Sequence, residues 1–201
     1  MHITDGYKIR DQTKPHFLTF TVVDWVDVFT RQRYNDIVIK SLQYCIENKN
    51  MMVYGYVIMS NHIHIIMQSN IGQLSALIGD FKKYTSKSII TSIQTEPESR
   101  REWLLEHFIT AATKHSRNQK YQFWKYGNHP EEIYSEKFMW SKLDYIHLNP
   151  VRAGIVEKAS DYCYSSATNY VKKEGKVSIH ILTNPVIEVL KPDSFWKSIS
   201  W

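Results

Sequence analysis

The sequence predicts an α+β fold, in which helices cover an antiparallel sheet. Segments rich in β-branched and aromatic residues, typical of strands, alternate with longer segments whose apolar residues recur at helical spacing. Two of the strand-like segments are separated only by Ser60 and Asn61. A two-residue polar connection of this kind predicts a tight hairpin, so these two strands should be antiparallel neighbours.

Each element follows from its residues in turn. The 16–23 segment is β-branched and aromatic, the 33–48 segment has helical periodicity, and Pro150 disfavours continuation of the last helix. In chain order we predict strand 16–23, helix 33–48, strands 51–59 and 62–68, helix 71–92, strand 121–125 and helix 136–149. This β-α-β-β-α-β order is that of a ferredoxin-like sandwich, with a further C-terminal helix.

The remaining segments are more polar. The interval 94–119 is charged and is predicted to be an insertion or a mobile loop, with a short helical piece near 103–112. We expect one domain over residues 1–175 and an irregular tail at 176–201.

Composition indicates an ordinary globular protein. The 201 residues are 43% hydrophobic, but no apolar run approaches the ~20 residues that span a bilayer. No secretory signal is recognised at the start of the sequence. Only Cys45 and Cys163 occur, which offers no disulfide framework or cysteine metal motif. We therefore expect a cytoplasmic protein.

The charge favours a polyanionic partner. The net charge is +5 and the pI is about 9.0. Lys82, Lys83 and Lys87 lie within one predicted helix, and Arg10 precedes the first strand. Such cations can contact phosphates, although a solvated surface explains each group equally well.

Two histidines stand one residue apart in the third predicted strand. Side chains alternate between the faces of a strand, so His62 and His64 should point the same way, with Ile63 on the other face. Two adjacent imidazoles form half of a metal site. The alternative is a pair of histidines that are only hydrogen-bonded within a sheet.

The last predicted helix adds a second polar pair. Tyr145 and Asn149 are four residues apart and therefore lie one helical turn from each other. Because Asn149 precedes a proline, we place it at the end of the helix, where its side chain can reach out. Alternatively, Tyr145 is a core tyrosine and Asn149 a helix cap.

These motifs together resemble a known family. The runs Tyr-Val-Ile-Met-Ser-Asn-His-Ile-His-Ile-Ile at 56–66 and Leu-Asp-Tyr-Ile-His-Leu-Asn-Pro-Val-Arg-Ala-Gly at 143–154 are followed by Tyr-Ser-Ser-Ala-Thr-Asn-Tyr at 164–170. In this order and spacing they resemble the REP-associated branch of the single-tyrosine HUH transposases, which are IS200-like. The resemblance extends over about residues 15–171.

The resemblance implies a reaction and a set of site residues. Tyr145 matches the family's nucleophile, which cleaves single-stranded DNA and forms a 5′-phosphotyrosine that supports strand transfer, and hence recombination and transposition. His62 and His64 match the His-hydrophobic-His motif that binds a divalent cation, Mg²⁺ or Mn²⁺. Asn149 occupies the position of a glutamine ligand in related transposases, and its side chain is shorter by one methylene.

The resemblance also implies a DNA partner, typically a single strand with an imperfect hairpin beside a short cleavage sequence. Basic residues would contact its backbone, and exposed aromatics would stack on its bases. Our candidates are Lys82, Lys83, Lys87, Arg10, Arg152 and Trp124, with Tyr126 as a second aromatic. The protein could be a monomer or a homodimer.

Two other functions remain open at this point. A relative that binds DNA hairpins without cutting them would have no need for His62, His64 and Tyr145 together. A metal-dependent phosphoesterase would need the two histidines but not Tyr145.

Overall fold

The computed structural model describes residues 8–114 and 120–183. Its strands are β1 (His16–Thr21), β2 (Met51–Ile58), β3 (His62–Ser69) and β4 (Glu131–Glu132). Its α-helices are α1 (Gln32–Asn48), α2 (Leu74–Thr95), α3 (Arg101–Thr113), α4 (Glu136–Arg152) and α5 (Ala167–Lys172). Among the described helices, none is both long and apolar enough to cross a membrane.

The sheet has the order β2-β3-β1-β4, and every pair of neighbours is antiparallel. The split arrangement, with β3 between β1 and β2, confirms the ferredoxin-like prediction. The register places Thr19 of β1 opposite His64 and Thr21 opposite His62. The hairpin predicted at Ser60 and Asn61 joins β2 to β3.

Both faces of the sheet are covered, and the alternation of β3 divides its residues between them. Ile63, Ile65 and Met67 pack in the larger core with α1, α2 and α3. Ile66 packs in the smaller core with Leu143 of α4. The histidines alternate with the first set, so they lie on the α4 face.

The prediction of a fourth strand at 121–125 is wrong in its bounds. Only Trp124 forms a bridge there, with Val22, and the paired residues of β4 come later, opposite His16 and Phe17. Backbone hydrogen bonds nevertheless join the segment between Trp124 and β4 to β1. Lys125 N–H donates to Thr21 O, and Thr19 N–H donates to Asn128 O. Left-handed backbone at Gly127 (φ 80°) and His129 (φ 41°) interrupts the edge strand.

The segment from 94 to 119 is more ordered than predicted where the structure describes it. The helical piece near 103–112 is α3, and its Leu104 and Phe108 are fully buried in the larger core. The predicted helical piece is therefore present and packs into the larger core. Residues 115–119 of the predicted interval lie outside the described residues.

The first part of the predicted tail packs against the domain. Val177 is buried, and the His180 N–H donates to the Val53 carbonyl of β2. No regular element forms over 176–183, in keeping with the irregular tail. Residues 184–201 lie outside the described residues.

The prediction that helix α4 ends before Pro150 is wrong, because the helix continues to Arg152. Pro150 has no N–H to donate to the preceding turn, yet it is buried, and the Ala153 N–H closes the helix on Asn149 O. Asn149 is therefore a helical residue and not the end of the helix. Packing of the proline outweighs the hydrogen bond that it cannot make.

Helix α4 approaches β2 closely because residue 55 is a glycine. A Cβ at Gly55 would overlap Leu143 Cδ1, whereas a Cβ at Gly79 in α2 would meet nothing within 4 Å. Replacing Gly55 by alanine should therefore force α4 away from the sheet. We expect G55A to lower the free energy of unfolding by about 1–3 kcal/mol, as measured by urea denaturation.

The matched control is G79A, which adds the same methyl group in a helix interior without a clash. It should raise the free energy of unfolding by up to about 1 kcal/mol. A G55A protein as stable as wild type would contradict the close-packing argument.

A second attachment of α4 is polar. His147 is buried, and its Nε2 lies 2.8 Å from Ser166 Oγ, which accepts a hydrogen bond from the Tyr56 N–H of β2. Burial lowers the pKa of His147 from 6.5 to about 3. The folded protein therefore keeps this imidazole neutral at pH values where the unfolded chain protonates it.

This difference predicts a pH dependence of stability. Because the folded pKa of His147 is the lower one, its contribution is complete above pH 6.5 and is lost as the pH falls toward 3. When the pH is lowered from 6.5 to about 5, both proteins should lose stability. The loss in the free energy of unfolding should be about 2 kcal/mol smaller for H147Q than for wild type. Chemical denaturation at both pH values measures this. H180Q, at an exposed position, should keep the wild-type slope, and equal slopes in H147Q and wild type would contradict the prediction.

Candidate active site

The structure brings the two predicted histidines and the predicted tyrosine together within one chain. The ring centroids of His62 and His64 are 4.6 Å apart, and those of His64 and Tyr145 are 5.1 Å apart. Phe17 of β1 stacks on His64 at 5.4 Å and meets Tyr145 edge-on at 5.9 Å. His64 is buried, while Tyr145 is 40% exposed. The arrangement therefore has a buried floor and an accessible phenol.

Each histidine has one ring nitrogen already engaged. Nδ1 of His64 lies 2.9 Å from Thr19 Oγ1, and Nδ1 of His62 lies 2.6 Å from Asn61 Oδ1. The amide nitrogen of Asn61 donates to the Trp25 carbonyl, which orients its oxygen toward His62. His62 must then carry its proton on Nδ1. Its Nε2 keeps a lone pair, as a metal ligand requires.

The electrostatics keep both imidazoles neutral. Burial lowers the pKa of His62. It lowers the pKa of His64 to about 3, with smaller contributions from His62 and from the nearby ammonium of Lys142. The Lys142 ammonium pairs with Glu131 at 2.8 Å and lies 4.5 Å from the centroid of the Phe17 ring. Neutral imidazoles can bind a cation without first losing protons.

The third predicted ligand is less well defined by the geometry. Asn149 follows Tyr145 by one turn of α4 and is half-buried. Within residues 8–114 and 120–183, no cluster of three or more His, Cys, Asp or Glu side chains could hold a metal ion. A cation on the histidine pair would therefore need further oxygen ligands, which the Asn149 amide or a bound phosphate would supply. Imidazole and these oxygens together fit a divalent cation.

Positive charge also borders Tyr145. The guanidinium carbon of Arg152 lies 5.8 Å from the Tyr145 ring centroid. Both residues line an open cavity of about 600 Å³ together with Asp144, whose pKa is raised by burial against the opposing effect of Arg152. Of the predicted DNA contacts, Arg152 is the one that the structure places beside the tyrosine.

The other predicted contacts lie elsewhere. Lys83 and Lys87 are exposed on α2 and line a groove against α1, on the face of the sheet away from the histidines. Arg10 is exposed in the segment before β1.

Two of the predicted contacts have structural partners within the domain. The Lys82 ammonium is held by the Lys125 carbonyl and by Asn128 Oδ1, so it ties α2 to the edge strand. Trp124 is buried, and its indole N–H donates to Thr85 Oγ1. Its ring is part of the larger core and offers no surface on which a base can stack.

The sequence interpretation missed several residues around the histidines. Thr19 and Asn61 orient the two rings, and Phe17 packs under the site. Trp25 meets the His62 ring edge-on at 5.9 Å. Asn61 stands next to His62 in the motif, but its sequence position indicates only a turn residue. Thr19 could be identified as the partner of His64 only from the register of β1 and β3, which the sequence does not show.

The sequence model of a family described as "Transposase IS200 like" matches residues 12–143, a span that includes both histidines and ends two residues before Tyr145. Among curated proteins, none matches in sequence.

A solved structure, described as "Structure of the REP associates tyrosine transposase bound to a REP hairpin", has the same fold. Its TM-score is 0.59 at 16% sequence identity, over 89% of this chain and 93% of that chain.

The Asn61 contact yields a test of the histidine pair. Removing the acceptor of the His62 Nδ1 proton should leave the ring less well oriented, so N61A should bind Mn²⁺ about tenfold or more weakly. Isothermal titration calorimetry measures this affinity. N70A, in an exposed turn after β3, should bind as wild type does. Unchanged Mn²⁺ affinity in N61A, or no Mn²⁺ binding by wild type, would contradict the assignment.

Proposed function

The chain belongs to the family of IS200-like transposases, and from this premise we propose that it cuts and rejoins single-stranded DNA through a covalent bond to Tyr145. The observation that carries the proposal is the contact of Tyr145 with His64, at 5.1 Å between ring centroids in one chain. In this proposal the exposed phenol is the nucleophile, and the two imidazoles beside it form the cation site.

The proposed reaction is a transesterification. The Tyr145 oxygen attacks the scissile phosphorus and loses its proton to the surroundings. The bond from phosphorus to the 3′-oxygen breaks, and that oxygen takes up a proton and leaves as a 3′-hydroxyl. The protein keeps the other strand as a 5′-phosphotyrosine. Because one phosphodiester replaces another, a second 3′-hydroxyl can reverse the step and join a new end without ATP.

The residues have distinct parts in this proposal. His62 and His64 would hold Mg²⁺ or Mn²⁺ through their free ring nitrogens, with Asn149 as a third ligand. Such a cation, when bound, would polarise the scissile phosphate and stabilise the charge that develops on it. Phe17 holds the His64 ring against Tyr145, and Arg152 places positive charge where a phosphate reaches the phenol.

We propose that the substrate is a single strand with an imperfect hairpin. The protein of similar fold was solved bound to a REP hairpin, and the positive net charge of this chain suits a polyanion. Arg152 is the proposed contact near the scissile phosphate. Lys83, Lys87 and Arg10 are proposed to contact the backbone further away.

The test is a covalent adduct. Single-stranded hairpins with randomised flanking sequence and a 3′ label are incubated with the protein and Mn²⁺, then separated under denaturing conditions. We expect labelled protein from wild type and at least about a hundredfold less from Y145F, which lacks the nucleophile. The same DNA labelled at its 5′ end should label no protein, because that fragment leaves with the 3′-hydroxyl.

Y84F is the matched control, since Tyr84 is 59% exposed on α2, and it should form the adduct at the wild-type level. An equal adduct from Y145F, or none from wild type with any flanking sequence, would overturn the proposal. DNA cut equally well by Y145F without an adduct would identify a hydrolase that depends on the histidines alone.

A further inference from the structure

Trp25 is an unusually exposed indole for a residue at the border of the site. It ends the short 3-10 turn Val23–Trp25 that comes after β1. Its surface is 55% exposed, and its ring meets that of His62 edge-on at 5.9 Å. By contrast, Trp124 is 6% exposed and packed in the core. Burial therefore explains the position of Trp124 and does not explain that of Trp25.

The backbone at this position is strained. Asp24 (φ 51°) and Trp25 (φ 59°) both adopt the left-handed conformation, which non-glycine residues seldom do. The Trp25 N–H donates to Val22 O, and the Trp25 carbonyl accepts from the Asn61 side chain. Asn61 is also the residue that orients His62. The strained turn is thus fixed to the histidine pair, and such strain is concentrated at functional sites.

Trp25 also lines a cavity. It has a volume of about 260 Å³ and is lined by Trp25, Tyr126, Gln122, Asp24, Lys114 and Lys125, among others. This volume is below the roughly 300–1,000 Å³ of pockets for drug-sized ligands. A single planar ring system is therefore a better match for it than a larger molecule.

The charges around the cavity favour a nucleic acid. The Lys125 ammonium lies 5.8 Å from the centroid of the Trp25 ring, and Lys114 is exposed at the rim. Asp24 is the carboxylate among the lining residues, and it lies 3.2 Å from His107 Nε2 and 4.0 Å from Lys114 Nζ. The surroundings therefore combine an exposed indole with cations, as in sites that bind single-stranded nucleic acid.

We propose that this cavity binds one unpaired base of the DNA strand, stacked on Trp25, adjacent to the nucleotide whose phosphate lies at His62 and His64. The inference rests on the proposed function for the position of that phosphate. Lys114 and Lys125 neutralise the backbone on either side of the base. The base is held before the reaction, so Trp25 sets the position of the strand relative to Tyr145.

The experiment measures binding without cleavage. A fluorescein-labelled short oligothymidylate, and an analogue of the same length made of abasic sites, are titrated with protein in EDTA, and anisotropy is recorded. Wild type should prefer the oligothymidylate. W25A should lose about tenfold in affinity for it and nothing for the abasic analogue, because stacking requires a base.

Two further variants separate loss of the ring from loss of the fold. W25F keeps an aromatic face and should retain most of the preference. W25G removes the ring but suits a positive φ, so it should bind as W25A does with a melting temperature no lower than that of wild type. W103A is the control, since Trp103 is 48% exposed on α3 and stacks on His107, and it should bind as wild type does.

Equal affinity of W25A and wild type for the oligothymidylate would overturn the inference. So would an equal loss for both probes, or the same loss in W103A. The outcome is independent of the adduct test. If binding depends on Trp25 but the protein forms no adduct, the base site is supported and only the proposed reaction is refuted. If the protein forms an adduct but binding does not depend on Trp25, only the base site is refuted.

Discussion

The site depends on one constraint, which is that helices cover both faces of the sheet at β3. Ile63 and Ile65 are buried against α1 and α2, so His62 and His64 are directed toward α4. A slip of one residue in the pairing with β1 would place isoleucines on the α4 face and imidazoles in the larger core. Burial of the apolar side chains in the larger core therefore fixes the direction in which His62 and His64 point. The two histidines themselves contribute little to the free energy of that burial.

Helix α4 completes the site through contacts that lie away from the chemistry. Leu143 fits against Gly55, and His147 reaches Ser166, which is bonded to the backbone of β2. These two attachments lie on either side of Tyr145 in the sequence and fix both the distance and the rotation of the helix. The helix therefore holds the exposed phenol beside His64. In this way the rigid core positions a residue that has to remain accessible.

Periodic features were predictable from the sequence, and features that depend on three-dimensional pairing were not. The alternation of β3 predicted that His62 and His64 share one face of the sheet. The place of Tyr145 beside them was implied by the family resemblance, because helical spacing relates Tyr145 only to its own helix. The edge strand was misplaced because Gly127 and His129 interrupt it, and a strand made of single bridges has no sequence period. The contacts that Lys82 and Trp124 make within the domain were not predictable, because both residue types occur buried as well as exposed. Trp25 lies in a turn, where no periodicity reports its exposure.

Irregular segments occupy both edges of the sheet. The stretch from 121 to 133 forms backbone hydrogen bonds with β1. On the other edge, the backbones of Tyr164, Ser166 and His180 form hydrogen bonds with Ile58, Tyr56 and Val53 of β2. Sheets with open edges can join to one another by strand pairing. Here one edge is a two-residue strand within an irregular stretch, and the other is bonded to irregular segments, so neither offers a second copy of the chain a long regular strand. Any assembly of this protein with itself should therefore use its helices or loops, and each copy would keep its own sheet.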